Sequence, residues 1–350
     1  MRTILKVAAV LAIVLTASAQ QGYKAPQLHP KETHLRNIKQ LTYGGENAEA
    51  YFSFDGKQII LQSTREPYKC DQIFTMNVDG SSVKMVSTGK GRTTCAYFLP
   101  DGKRFIYAST HLGSPDCPPP ADRSLGYVWA LYRSFDIFSA KTDGTDLKRL
   151  TTTDRYDAEG TVAPDGKKIV FTSLRSGDLE IWDMNVDGTS PRQLTNDLGY
   201  DGGPWHSQDG QWIVWRASRP KTPEEVQKYK DLLAKDLVMP DKLEIMLMKA
   251  DGTQKKQLTS NGKANFAPFF HPNGKQIIFA SNVNNPNPRS GNFDIFLINR
   301  DGTGLTQVTF DEGFDGFPMF TNDGKKMIWA SNRNGKSDTE TNVFIADWVE

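Results

Sequence analysis

An Asp-Gly or Asn-Gly pair set between β-rich apolar runs returns along this chain so regularly that it dictates a repeating architecture. One series reads Asp55-Gly56-Lys57, Asp101-Gly102-Lys103, Asp165-Gly166-Lys167, Asp209-Gly210-Gln211, Asn273-Gly274-Lys275 and Asp323-Gly324-Lys325. A second, Asp79-Gly80-Ser81, Asp143-Gly144-Thr145, Asp187-Gly188-Thr189, Asp251-Gly252-Thr253 and Asp301-Gly302-Thr303, falls between copies of the first. Such pairs mark hairpins, because both central residues of a type I′ turn need positive φ. Each repeat therefore predicts two hairpins, hence four antiparallel strands. Six such units predict an all-β fold, a six-bladed β-propeller of four-stranded antiparallel blades.

First turns lie 44 to 50 residues apart, except for 64 after Asp101 and again after Asp209, which places insertions within blades two and four. The last blade supplies "GFPMFT", "KMIWAS" and "NVFIADW" before Glu350, three strands rather than four. "HLRNIKQLT", His34 to Thr42, matches the fourth-strand endings "LKRLT" and "SPRQLT". An uncovered sheet edge is a liability. The N-terminal strand is therefore expected to complete blade six and close the ring. The strand aromatics Phe171, Trp182, Trp215, Phe279 and Trp329 are expected to pack between blades.

The first 19 residues read as a secretory signal, with early positive charge, an apolar run and Ala17-Ser18-Ala19 before the cut. Val7 to Leu15 is too short to span a bilayer. Residues 20–33 form a linker, and 34–350 the propeller. Losing Arg2 and Lys6 takes the net charge from +1 to −1, so nucleic acid is not an expected partner. A periplasmic or secreted monomer follows, not membrane-spanning after cleavage. Cys70, Cys95 and Cys117 should lie toward one face, either with two of them bridged or all as thiols.

The unit exemplified by Asp165-Gly166-Lys167, Ser173, Arg175, Glu180-Ile181 and Asp187-Gly188-Thr189 resembles the TolB-type (WD40-like PD40) β-propeller repeat over about residues 34 to 350. TolB itself carries an α/β domain before its propeller, which the short linker here does not match. The resemblance implies a protein-binding or scaffold module of the cell envelope, with an envelope protein or peptidoglycan-associated partner.

No GxSxG, HExxH, P-loop or Rossmann glycine pattern occurs. One periodic feature is sharper. Eight residues before each first turn's Gly-preceding residue stand Asn47, Thr93, Asp157, Asp201, Asn265 and Asp315, all polar. They are expected to ring the axial channel's mouth, either bonding their own turn backbone or holding calcium, another cation or a basic group of a partner. No cofactor is required. Asp157, Glu159 and Asp201 are the clustered acid/base candidates for an alternative, an exported lyase or hydrolase acting on glycan or peptide at that mouth.

A second polar series, Gln72, Asp136, Glu180, Glu244, Asp294 and Asn342, opens the third strands. Arg65, Arg175, Arg219 and Arg333 are expected to pair with it and brace the blades. In blade four, Thr222 should cap a helix from Pro223 to about Leu237 that docks through Val226, Tyr229, Leu233 and Leu237. Both insertions and the "NVNNPNPRSGN" loop of blade five should emerge on the face of the polar ring, where function concentrates.

Overall fold

A computed structural model describes residues 20, 22–287, 291–337 and 339–350; the expected signal segment lies outside them. Among these residues the chain forms six four-stranded antiparallel sheets. Blade three shows the pattern, with strands Asp157–Val162, Lys168–Ser173, Glu180–Asn185 and Arg192–Gln193 in sequence order. Asp165 holds its turn by accepting from Lys167 N at 3.0 Å. Gly188 has φ 89°, and a Cβ there would lie 2.6 Å from the Leu150 carbonyl of the preceding blade. Only glycine permits that approach.

Second and third strands carry the inter-blade core. Phe171, Trp215, Phe279 and Trp329 are fully buried, while Trp182 packs half-buried against the same core. Each fully buried aromatic contributes roughly 2–3 kcal/mol relative to exposure.

The ring is closed by the N-terminal strand. Leu35–Gln40 pairs antiparallel with Asn342–Trp348, Leu35 opposite Trp348 and Gln40 opposite Phe344. Leu35 is completely buried there. The linker is also fastened: Glu32, 2% exposed, accepts from Arg333 at 3.0 Å, and Tyr23 donates to Glu340 at 2.6 Å.

The two insertions meet. Trp129–Ala130 of blade two pairs with Leu237–Val238 of blade four, and Arg133 bonds both carboxylate oxygens of Asp236. The helix spans Pro223–Leu233, capped by the reciprocal Thr222–Glu225 pair. It is shorter than the sequence indicates, because Leu237 is taken into the two-stranded sheet. The docked face also shifts: Tyr229 and Leu232 are the buried positions, with Val226 and Leu233 half-buried. Cys70 is joined to Cys117, tying the blade-two insertion to blade one, and Cys95 is free.

Deleting His34 to Thr42 strips the outer strand from blade six and exposes its edge. The truncated protein is expected to aggregate or to melt far below the full chain. Unchanged melting in calorimetry would contradict closure through this strand.

Candidate functional site

The six polar positions open the innermost strands, and all six are fully buried. They sit in the seams between blades rather than on the channel wall. In every blade their backbone N–H donates to a carbonyl of the preceding blade: Asn47 to Thr341, Thr93 to Asp71, Asp157 to Phe135, Asp201 to Leu179, Asn265 to Leu243 and Asp315 to Phe293, at 2.7–3.1 Å.

Their side chains complete the seam in two ways. Asn47 and Asn265 donate back to those same carbonyls, at 2.7 and 2.6 Å, and Thr93 does so at 2.9 Å. Asp157, Asp201 and Asp315 instead receive the arginine that follows the second strand, Arg175 at 3.0 Å, Arg219 at 2.7 Å and Arg333 at 2.7 Å. The carboxylates also accept from Ser173 (2.5 Å), Trp215 Nε1 (2.6 Å) and Trp329 Nε1 (3.1 Å), respectively. Buried charge needs such partners. Among the described residues, no three His, Cys, Asp or Glu side chains converge as a metal site.

The arginines thus serve the first-strand series, not the third-strand series. Third-strand polar residues bond the hydroxyl that ends each fourth strand. Thr195 donates to Glu180 at 2.5 Å, Thr259 to Glu244 at 2.6 Å and Ser87 to Gln72 at 2.8 Å. The same hydroxyls accept the next N–H of the third strand, as Thr195 does from Ile181 at 2.8 Å. The recurring "LT" is this clasp. In blade two, Arg149 of the fourth strand joins it through Asp136 at 2.7 Å.

The channel belongs to other residues. Each innermost strand breaks register one residue after its polar position, and the next residue adopts positive φ: Glu49, Cys95, Glu159, Gly203, Ala267 and Phe317, between 49° and 60°. This repeated bulge re-aims one side chain per blade. Two residues further on, Tyr51, Tyr97, Trp205 and Phe269 meet in edge-to-face contacts. The Tyr51 and Trp205 rings lie 4.9 Å apart although their blades, one and four, are opposite in the ring. Such contacts fill the axis with an aromatic plug.

A polar layer is associated with this plug. Arg216 of blade four bonds Glu159 of blade three and the Tyr200 hydroxyl. Glu159 further accepts from Thr172 at 2.7 Å and from Gly203 N at 2.9 Å. A side chain at position 203 would strike Arg216, so glycine makes room for the pair. Trp129, from the joined insertions, covers Arg216 with its ring centroid 5.2 Å from the guanidinium carbon. Burial pushes the Glu49 carboxyl up to about 7; Cys95 opposes that rise by hydrogen bonding, and Glu159 adds repulsion. Burial, with the Glu49 and Glu159 charges, also pushes the Cys95 thiol well above its ordinary range. Of the acid/base candidates, only Glu159 is placed at this polar layer. Glu49 escaped sequence reading, and Cys95 entered it only as a disulfide candidate, because non-glycine positive φ has no residue signature; Arg216 lies on a second strand outside any periodic polar series.

Six blades, an N-terminal closing strand and a channel filled by aromatics define a six-bladed propeller with its insertions joined over one face. Comparison places that architecture among known proteins. No protein-family model matches the sequence. The chain is 25% identical over 150 residues to a TolB homologue of Chlorobium luteolum, covering 36% of this chain and 34% of that protein. The match thus spans about a third of the relative's length. A TolB structure from Agrobacterium tumefaciens superposes with a TM-score of 0.59 at 16% identity, covering 89% of this chain and 97% of that one. An oligogalacturonate lyase from Vibrio parahaemolyticus superposes at 0.52 with 12% identity, over 92% and 95% of the two chains. In fold the chain is a TolB-type β-propeller.

The seam can be tested directly. Asp157→Ala leaves Arg175 buried without its carboxylate and is expected to cost about 3 kcal/mol. Asp315→Asn should cost much less, because Arg333 keeps Glu32. Equal losses in denaturant unfolding would contradict this assignment.

Proposed function

We propose that the protein is an exported, TolB-like binding module that engages an envelope protein, or a peptidoglycan-associated one, through the face built by the two insertions. It acts in the periplasm or outside the cell. The observation that carries this reading is the platform itself. The blade-two insertion is bridged to blade one by Cys70–Cys117 and to blade four by the Trp129–Ala130 pairing. Yet it holds Leu112, Leu125 and Tyr127 out at 57%, 37% and 61% exposure. Leu198, in the connection from blade three to blade four, is exposed as well. A rigid surface that presents apolar side chains among polar ones is the form of a protein-binding site. The likeness to TolB proteins supports the same class of role. Among the described residues no helix is long and apolar enough to cross a membrane.

The exported protein, immobilised with its disulfide intact, is expected to capture a discrete envelope partner. Leu112→Glu combined with Tyr127→Glu should weaken that capture by at least about tenfold, since two apolar anchors become charged, without lowering the melting temperature. Capture unchanged in this variant, or no partner retained by the wild type, would refute the proposal.

A further inference from the structure

The blade-four insertion encloses a cavity that neither the seams nor the apolar patch uses. The helix Pro223–Leu233 forms one wall, and residues 239–242, which follow the Leu237–Val238 pairing, form the other; with residues 218–220 they bound about 120 Å³. Its floor is apolar. Tyr229 and Leu232 are each 8% exposed, and Met239 packs against the Val128–Leu232–Leu237 cluster. The Tyr229 hydroxyl is already bonded to Asp178, so the tyrosine contributes its ring. The walls are fixed to one another, since Lys242 of one bonds Glu225 of the other at 2.7 Å, and Glu225 also caps the helix.

Of the charges that line the cavity, Arg219 is taken by Asp201 at 2.7 Å and Lys242 by Glu225. Two are left. Lys228 lies one helical turn before Leu232 on the same face. Its partner is the Met239 thioether at 3.0 Å, a weak acceptor for an ammonium. Asp241, on the facing wall, makes no hydrogen bond or ion pair among the described residues.

We propose that this cavity binds a free aliphatic α-amino acid of leucine size, with its side chain on the Tyr229–Leu232–Met239 floor, its carboxylate on Lys228 and its ammonium on Asp241. The volume is the share of about four waters, which the four carbons of an isobutyl group fill. Release of that water from an apolar floor favours the side chain, and the flexible Met239 adapts to its shape. The unmatched charges have opposite signs and stand on opposite walls, which selects a zwitterion: a simple carboxylate would meet Asp241, and a simple amine would meet Lys228. Capture of a partner by the apolar patch is not required.

Leucine titrated calorimetrically into the full exported protein, up to about 10 mM, should bind. In methyl NMR of methionine-labelled protein it should shift the Met239 signal, assigned by its loss in Met239→Leu. Glycine, lacking the side chain, should bind at least about tenfold more weakly. N-acetylleucine and leucinamide each lack one charge and should each lose about threefold to fivefold, the range of an exposed ion pair. Asp241→Asn should bind leucine and N-acetylleucine alike, and Lys228→Gln should bind leucine and leucinamide alike. Both residues are exposed, so melting should be unchanged. Leu112→Glu combined with Tyr127→Glu should bind leucine as the wild type does. N-acetylleucine bound more tightly than leucine would assign the cavity to a peptide C-terminus and overturn the proposal. So would an unshifted Met239 signal, or undiminished leucine binding by either single variant.

Discussion

The seam between successive blades is the interaction on which everything else rests. A propeller blade has no hydrophobic core of its own; its two faces are covered only by its neighbours. Each innermost strand therefore begins with a backbone N–H given to the blade before it, at 2.7–3.1 Å in all six junctions. The side chain at that position seals the junction, by an amide or hydroxyl bond to the preceding blade or by an ion pair with a second-strand arginine. The first strand, Leu35–Gln40, completes blade six, so the ends of the chain share one sheet and the ring is closed.

The channel follows from those seams. Fixing the first residue of the inner strand and then inserting a bulge turns the third residue to the axis at the same height in every blade. Sequence then decides what gathers there: carboxylates from blades one and three, a thiol from blade two, an arginine reaching in beside a glycine in blade four, and Ala267 and Phe317 from blades five and six. Beside these, aromatic residues from opposite blades touch across the axis. The propeller is filled along its axis and elaborated on its insertion face.

The fold was legible because its signals are local. Asp165-Gly166 and Asp187-Gly188 declare their turns chemically, and the insertion lengths declared themselves as irregular spacing. The polar layer on the axis was not legible for a geometric reason. The count back from each turn reaches Asp157 and its equivalents, two residues short of the positive-φ bulge residue that meets the axis. The periodic polarity at Asn47, Thr93, Asp157, Asp201, Asn265 and Asp315 was real, yet its cause is blade-to-blade bonding at positions with no exposure at all. Likewise the "LT" repeats, visible as a strand ending, proved to be hydroxyl clasps on the third-strand carboxylates. The helix ended early because Leu237 had a partner strand 107 residues earlier, at Ala130, which no local pattern announces.

The joined insertions are the proposed recognition surface. A photo-crosslinking side chain placed at Tyr127 in the living cell tests that most directly, with the same side chain at Lys325, on a turn at the other end of the blades, as reference. Crosslinking to a discrete envelope protein from position 127 and not from 325 is the result predicted. A partner that crosslinks from 325 but not from 127 would contradict it.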